Sequence, residues 1–425
     1  MKGAALPVSS ADDWEALETR TATRSRGERP EQASSILPVW LSFFFFGVVN
    51  NFAYVVFLSA AEAMVERHAG AVLFADVVPG LLLKTSVGWW LHRVRYAVRV
   101  YGVSVGNFAA FVVAAAMASV ASTTLSVAAM LAAVACVSLM GALGEATFLA
   151  LTARYGQPAL AAWSSGTGFA GIAGAGLYAL LTNVLGVRPS RTLMLLAPVP
   201  LLMGVTYAAA RLPADAPAAS EGLRSDADAP NTQRKWSMVY RLIPRYLAPL
   251  LVVYWAEYTI NQGLLPTTDV NDWIQPSATR DAGAPIRHAR YAMLQLVYQT
   301  AVFVSRSSIA CFRVRALWAL TLLQCNNVAV LTVLSTQPPV QRTLWLYRMR
   351  AVVAVVFFEG LLGGATYANT FAAIREAVPP PLREWTLGVS SVADAMGIAA
   401  ASVVSLWVEC AVFRRHGWEC GAGRR

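Results

Sequence analysis

The chain has 425 residues, of which 56% are hydrophobic and only 14% are charged, and its mean hydropathy is +0.50. Soluble domains carry about a quarter charged residues, so this composition excludes a soluble protein and favours a membrane protein with many spans. The formal net charge of +10 does not indicate a nucleic-acid partner, because the basic residues lie in short loops and form no groove of alternating basic and aromatic residues.

The N-terminal segment is polar and mixed in charge, and we expect a disordered cytosolic tail over residues 1–36. It lacks the apolar core of a cleaved signal peptide. Lys2 follows the initiator Met, so the segment also lacks the glycine that N-myristoylation needs. The first span is therefore expected to act as its own insertion signal.

Six apolar segments follow, each long enough to cross about 30 Å of hydrocarbon as an α-helix. These predicted spans lie near 38–60, 71–92, 96–120, 124–153, 159–184 and 192–211. Together they form a predicted N-terminal half over 37–212. A cytosolic linker is predicted over 213–240, and its part from Pro213 to Lys235 is rich in Ala, Pro, Ser and Asp, which is typical of disorder.

Five further segments form a predicted C-terminal half over 241–413, followed by a short tail over 414–425. The predicted spans lie near 244–265, 290–308, 314–336, 343–374 and 385–412, with a polar loop over 266–290. About eleven spans result, and the sequence leaves open whether a twelfth exists. One set of alternate loops holds fifteen arginines and lysines and the other holds nine, which favours a cytosolic N-terminus.

Three short motifs recur in the same order at a nearly constant displacement along the chain. GALGEAT at 141–147 matches GLLGGAT at 360–366, and the serine pair at 164–165 matches the pair at 390–391. Arg-Val-Arg likewise occurs at 93–95 and again at 313–315. Repetition of this kind predicts two similar halves. If each half holds six spans the repeats are parallel, which is the arrangement of major-facilitator transporters.

An ionisable residue inside a predicted span costs about 2.5–3.5 kcal/mol to insert, and six such residues are candidates for a function. They are Asp76, Lys84, Glu145, Glu257, Glu359 and Asp394. Asp76 and Lys84 share a face of one helix but are separated by about 12 Å along its axis, so we expect each to have a partner elsewhere.

Uncharged polar residues accompany these groups at helical spacing. The candidate substrate-binding or proton-coupling residues are Asn50, Asn51, Tyr54, Asp76, Lys84, Glu145, Ser164, Ser165, Thr167, Glu257, Asn261, Gln262, Tyr298, Gln299, Arg306, Glu359, Asn369 and Asp394. Two interpretations stay open for several of them. Glu145 could serve only in a helix–helix hydrogen bond, the serines and Thr167 could bond to their own helix backbone, and Arg306 could be either a cytosolic anchor or an anion-binding guanidinium.

Signatures of catalysis and of metal binding are missing from the sequence. No phosphate-binding loop, HExxH or GxSxG motif occurs, and the four histidines cannot be combined with a serine and an aspartate by spacing. The five cysteines contain no CxxC, and Cys410 with Cys420 is the only conceivable disulfide pair. We therefore predict that the chain is not an enzyme and has no cofactor and no metal site.

Seven short motifs of mixed polar and apolar residues occur along the spans. They are NNFAYVV at 50–56, LGEATFL at 143–149, WSSGTG at 163–168, AEYTINQG at 256–263, SRSS at 305–308, LLQC at 322–325 and EGLLGGATYANTF at 359–371. Together they resemble the battenin family of lysosomal and vacuolar membranes. The resemblance covers nearly every span from Asn50 to about Ile398. It implies an all-α, major-facilitator-like fold with eleven spans, residence in lysosomal, late endosomal or vacuolar membranes, and a part in lysosomal pH, in the handling of basic amino acids and in the clearance of glycerophosphodiesters.

Two hypotheses for function follow. The first is a transporter of small polar or anionic solutes, coupled to protons, in which Lys84 and Arg306 face the solute and Glu145 or Glu257 carries a proton. Its requirement is a water-accessible chamber near the middle of the bilayer. The second is a membrane scaffold for endolysosomal trafficking, in which the polar residues only pack. The lipid bilayer is a partner in both, and nucleic acid in neither.

Overall fold

The computed structural model describes residues 33–64, 69–119, 124–210, 232–265, 283–336 and 349–415. Every regular element within these ranges is helical, and no strand occurs among them. This confirms the predicted all-α class. The physical reason is that lipid offers no hydrogen-bond partners, so a spanning segment must satisfy its backbone groups internally, as an α-helix does.

The helices are numbered here in chain order. They are α1 Ala33–Met64, α2 Ala69–Trp90, α3 Tyr96–Met117, α4 Thr124–Ala179, α5 Pro189–Leu196, α6 Leu201–Ala210, α7 Thr232–Leu242, α8 Ala248–Tyr258, α9 Gly283–Ser307, α10 Leu317–Thr336, α11 Met349–Ala377, α12 Pro380–Ser390 and α13 Val392–Arg415. Three π-helical turns continue neighbouring helices, and they are Leu180–Val184 after α4, Ile243–Leu247 between α7 and α8, and Thr259–Leu264 after α8.

The long helix α4 consists of two arms that meet at Gly156. This glycine has φ 82° and ψ −169°, a conformation outside the helical region that only glycine adopts without strain, and Pro158 follows it. The arms correspond to the predicted spans near 124–153 and 159–184. In the described part of the chain, 7 segments are long and apolar enough to cross a membrane, and the 58-residue Leu125–Thr182 segment contains both arms. The total of eleven spans stays a prediction.

Two segments predicted as tail or linker are partly helical. Helix α1 begins at Ala33, inside the predicted tail, because a stable apolar helix readily adds residues at its end. Helix α7 begins at Thr232, inside the predicted disordered linker, and buries Val239 and Leu242 on one face. Residues 1–32 and 213–231 of these predictions lie outside the described residues.

Two later boundaries also move. Helix α9 begins at Gly283, so the last residues of the loop predicted over 266–290 are helical, and 266–282 lie outside the described residues. Helix α13 continues to Arg415, into the predicted tail. Cys410 is disulfide-bonded, whereas its predicted partner Cys420 lies outside the described residues.

The repeated motifs occupy corresponding helices. Residues 141–147 lie in the first arm of α4, and 360–366 lie in α11. The serines at 164–165 lie in the second arm of α4, and those at 390–391 lie where α12 meets α13. This placement agrees with two similar halves, although the predicted boundaries 37–212 and 241–413 stay predictions.

Glycines allow close contact between helices, both within one half and between the two halves. A Cβ atom at Gly166 would lie 2.0 Å from the backbone oxygen of Phe44 on α1, and one at Gly168 would lie 2.9 Å from Cα of Phe303 on α9. Small residues allow this approach in membrane helices. The central apolar core contains buried residues from both halves, including Phe148 and Phe371.

Candidate functional site

Lys84 on α2 is the centre of a buried ionic group. Its Nζ atom lies 2.6 Å from Oε2 of Glu145 and 3.1 Å from Oδ1 of Asp394. Only 5% of Lys84 and 3% of Asp394 are exposed. Lys84 and Glu145 belong to the N-terminal half, while Asp394 lies in the first turn of α13 in the C-terminal half. These three residues, called the central charged group below, therefore join the two halves.

Tyr367 completes the hydrogen bonds of Glu145, and Trp163 in turn bonds to Tyr367. The hydroxyl of Tyr367, on α11, donates a hydrogen bond to Glu145 Oε1 at 2.7 Å. The indole Nε1 of Trp163 donates to the same hydroxyl at 3.3 Å. Both oxygens of Glu145 are thus bonded, one to each half. Its contacts include the helix–helix hydrogen bond expected for a packing role, and its position beside Lys84 equally fits a role in solute or proton binding.

Arg306 on α9 lies beside this group and is 8% exposed. Its guanidinium donates to Thr167 Oγ1 at 2.6 Å and to the hydroxyl of Tyr254 at 2.9 Å. Its Cζ atom lies 4.2 Å from the ring centroid of Tyr367, and its Nε atom is buried without a hydrogen-bond partner among the described residues. Hydroxyl groups and an aromatic ring of the bundle thus surround Arg306, and its role as an anchor or as an anion-binding guanidinium stays a prediction.

A second polar cluster lies within the C-terminal half. The hydroxyl of Tyr298 donates to Oε1 of Glu257. The amide of Asn261 donates to Oε1 of Glu359 at 2.8 Å, and its oxygen accepts from Gln295 at 2.9 Å. Glu257 and Glu359 are 2% and 0% exposed.

The predicted polar stripe of the first span lies against α2 and α4. The Asn50 amide donates to the backbone oxygen of Gly141 at 3.2 Å and to the side chain of Asn51 at 3.1 Å. Tyr54 is hydrogen-bonded to Asp76. Asp76 and Lys84 therefore have different partners, as their axial separation predicts.

The remaining predicted site residues have varied surroundings. The hydroxyls of Ser165 and Ser307 are 2.7 Å apart, and this contact also joins the two halves. Within the described ranges, Ser164 Oγ and Gln262 Oε1 are buried without a hydrogen-bond partner. Gln299 packs against Gly171, where a Cβ atom would lie 2.0 Å from its Oε1.

Asn369 has a structural contact instead. Its side-chain oxygen accepts a hydrogen bond from the backbone N–H of Val314 at 2.8 Å, and so fixes the connection between α9 and α10. This contact explains the polar residue without a bound solute.

Sequence reasoning missed Tyr254, Tyr367, Trp163 and Gln295. Tyr254 precedes Glu257 by three residues, so helical spacing could have placed it on the same face. Tyr367 is part of the GLLGGATYANTF motif, but its contact with Glu145 joins residues that are 222 positions apart. Local sequence carries no signal of such a pairing.

The halves also meet at the end of the bundle where α7 enters. Arg154 Nε lies 3.0 Å from Oε2 of Glu384, and the hydroxyl of Tyr96 donates to the same carboxylate at 2.7 Å. The indole of Trp385 donates to the backbone oxygen of Gly88 at 3.0 Å. In this conformation the two halves are in contact at that end, here called the linker end.

Comparison with known proteins decides the family. The family model described as CLN3 protein matches residues 41–221 and 213–415. The chain belongs to this family. Among the family's curated members, Protein btn-1 of Neurospora crassa is 34% identical, with 95% of this chain and 93% of the relative covered. Battenin of Canis lupus familiaris is 31% identical over 92% of this chain and 94% of its own length. The resemblance to battenins is confirmed.

Solved structures establish the fold of this family member. The human organic anion transporter MFSD10 superposes with a TM-score of 0.52 at 13% identity, covering 90% of this chain and 97% of that one. A structure titled as a major facilitator superfamily transporter, FucP, in the outward conformation has a TM-score of 0.53 at 13% identity, covering 89% and 97%. The major-facilitator-like prediction is confirmed, and the chain is a multi-pass membrane protein.

Proposed function

We propose that the chain is a carrier of small polar solutes in the lysosomal or vacuolar membrane, and that it contributes to the pH homeostasis of that compartment. The solutes are of the glycerophosphodiester type or linked to basic amino acids. The observation that carries this proposal is the central charged group, because its Lys84–Asp394 contact of 3.1 Å joins the two halves within the bundle. Major-facilitator transporters work by moving one half against the other around a site near the bilayer midplane.

Two cations are available to a solute anion at this position. Lys84 is held by two carboxylates, and Arg306 uses two of its nitrogens on Thr167 and Tyr254 while Nε has no partner. A phosphodiester monoanion fits both, since its oxygens accept from a guanidinium and from an ammonium. On binding, it takes the place of Asp394 at Lys84 and so weakens the ionic contact between the halves.

The chamber that the carrier hypothesis requires is filled by direct contacts in this conformation. Lys84, Glu145, Asp394 and Tyr367 bond to one another. Since the Lys84–Asp394 and Tyr367–Glu145 contacts cross between the halves, they must break when the halves separate. The proposed carrier thus has these contacts in one conformation and solute in another.

Solute flux into liposomes tests the proposal. The purified protein is reconstituted, and uptake of a radiolabelled glycerophosphodiester is compared with that of empty vesicles. Wild-type flux is expected, and Lys84→Met is expected to abolish it. Arg306→Lys should lower flux at least about tenfold, because a lysine cannot reproduce the forked donor geometry and one charge-assisted hydrogen bond contributes about 1.5–3 kcal/mol.

Arg188→Gln is the matched control, since Arg188 is an exposed cation in the loop before α5. It should transport like the wild type. Wild-type rates equal to those of empty vesicles, over a panel of phosphodiesters and basic amino acids, would contradict the proposal.

A non-transporting membrane scaffold for endolysosomal trafficking is the second candidate function. The direct bonding within the central charged group favours it, because packing alone explains such contacts. In this case activity depends on the linker, so deleting residues 213–231 should abolish complementation of a strain that lacks the gene. Glu257→Gln should then leave complementation unchanged.

A further inference from the structure

Two carboxyl groups of the C-terminal half take part in none of the ion pairs found among the described residues. Glu257 lies on α8 and Glu359 on α11, and they are 2% and 0% exposed. The ion pairs of the described ranges are those of Lys84, Arg154 and Arg313. Glu257 and Glu359, called the carboxyl pair below, are buried without a bonded cation.

Each member of the carboxyl pair has one oxygen with a hydrogen-bond donor and one without. Tyr298 donates to Oε1 of Glu257, and Asn261 donates to Oε1 of Glu359 at 2.8 Å. The Oε2 atoms of both residues are buried with no hydrogen-bond partner in the described structure. A buried carboxylate oxygen without a donor bears its full desolvation cost, whereas a neutral carboxyl group largely avoids that cost.

One amide side chain connects the two residues of the carboxyl pair. The Asn261 amide donates both to Glu359 and to the backbone oxygen of Glu257, at 3.0 Å. Its orientation is fixed because its oxygen accepts from Gln295 at 2.9 Å. Gly363 leaves room for Glu257, since a Cβ atom at this position would lie 2.1 Å from Glu257 Oε2.

The charged and titratable groups that act on the carboxyl pair come from two helices. Tyr298 and Arg306 face it from α9, and Tyr254 and Tyr258 face it from α8. Arg306 acts on Glu257 through space only, because its bonded nitrogens are used by Thr167 and Tyr254. Asp394 of α13 acts on Tyr254 and not on the pair. The two carboxylates therefore act on each other, and among the described residues Arg306 is the cation that acts on Glu257.

We propose that the carboxyl pair is a proton-binding site, in which Glu257 and Glu359 together hold at least one exchangeable proton on the unpartnered Oε2 atoms. Two buried negative charges side by side are costly, and one proton removes one of them. The site is separate from the central charged group, whose two carboxylates share the ammonium of Lys84. The coupling of this proton to the solute anion, through Arg306, rests on the proposed function.

Arg306 connects the two sites. It is the cation that acts on Glu257, and it is also a proposed ligand of the solute anion. When an anion neutralises Arg306, the negative form of Glu257 loses its one favourable charge, so the proton is retained. Anion and proton consequently bind together and cross the membrane in the same direction.

Infrared spectroscopy of the purified protein tests proton binding without any solute. Wild-type protein at neutral pH should show a carboxylic-acid C=O band that shifts in deuterated buffer. Glu359→Gln or Glu257→Gln should lower the intensity of this band. The double variant should lack the whole part of the band that the carboxyl pair contributes. Glu384→Gln is the control, since Glu384 is ion-paired with Arg154, and it should leave the band unchanged. A band of wild-type intensity in the double variant would overturn the proposal.

A measurement on the wild type covers the case in which the glutamine variants do not fold. An apolar carbodiimide modifies protonated carboxyl groups from within the membrane, and mass spectrometry locates the adduct. Adducts at Glu257 or Glu359 that decrease at alkaline pH support the site, while modification confined to Glu145 and Asp394 overturns it. If wild-type protein shows a normal carboxylic-acid band but no glycerophosphodiester flux into liposomes, the carrier proposal fails and the proton-binding site stands. If flux is normal but the carboxylic-acid band of the carboxyl pair is missing, the proton-binding site fails and the carrier proposal stands.

Discussion

Replacing Asp394 by Asn removes one charge from the contact between the halves and keeps the size of the side chain. Asp394 Oδ1 lies 3.1 Å from Lys84 Nζ. With an effective dielectric constant of about 20, two unit charges at this distance attract by about 5.3 kcal/mol. The neutral amide keeps a hydrogen bond to Lys84 but loses this attraction.

Repulsion between the two carboxylates reduces the effect. Both bind the same Nζ atom, at 2.6 Å and 3.1 Å, so their bonded oxygens can be at most about 5.7 Å apart and repel by at least about 2.9 kcal/mol at the same dielectric constant. The net loss is then at most about 2.4 kcal/mol. This corresponds to a shift of up to about 50-fold toward conformations in which the halves are separated.

Pulsed electron paramagnetic resonance measures this shift. Spin labels are attached to cysteines replacing Arg95 and Arg315, which are exposed and lie in the corresponding loops of the two halves. The free cysteines of the described residues, Cys136, Cys311 and Cys325, are first replaced by serine. Asp394→Asn should increase the population with long distances between the labels.

The control is Glu376→Gln, which breaks the ion pair between Arg313 and Glu376 inside the C-terminal half. It should leave the distance distribution unchanged. The reasoning would be refuted by a distribution in Asp394→Asn identical to the wild type, or by an equal change in the control.

Two further predictions concern packing and protonation. Gly144→Ala should destabilise the protein by about 1–3 kcal/mol, because the added Cβ would lie 1.8 Å from Asn50 Oδ1. Gly141→Ala is the control: its added Cβ would meet nothing within 4 Å, so the melting temperature should stay unchanged. Partial burial, with the charges of Lys235 and two arginines, lowers the pKa of His92 below its ordinary value. The neutral imidazole therefore contributes to folding stability above the ordinary value of about 6.5, and this contribution is lost as pH falls below that value toward the lowered pKa of the folded state. Lys235→Gln should raise the pKa of His92 in an NMR titration, and an unchanged value would contradict this electrostatic account.

Much of the fold was predictable because membrane insertion depends on local composition. A run of about 20 apolar residues predicts a spanning helix with little regard to the rest of the chain. The break at Gly156 followed from the Tyr-Gly-Gln-Pro turn, and the repeated motifs placed the first arm of α4 and α11 in equivalent positions. Boundaries were less certain, as the early starts of α7 and α9 show, because helix ends depend on what they pack against.

The candidate site was predictable in its residue types but not in its pairings. Burial of Lys84 and Asp394 in apolar segments showed that each needs a partner or a function. The contact between them joins residues 310 positions apart, and nothing in either segment indicates the other. The aromatic contacts of Arg306 and Glu145 were missed for the same reason, since they form only after the halves are assembled.

A reversible cross-link between the halves tests the central claim of a carrier most directly. At Gly88 on α2, an added Cβ would lie 3.3 Å from Cγ2 of Val389 on α12, so cysteines at both positions can form a disulfide across the linker end. Gly88→Cys alone and the wild type, treated with the same oxidant and reductant, are the controls. Glycerophosphodiester flux should fall to that of empty vesicles on oxidation and return on reduction. Equal flux from the oxidised and reduced double variant would contradict the account.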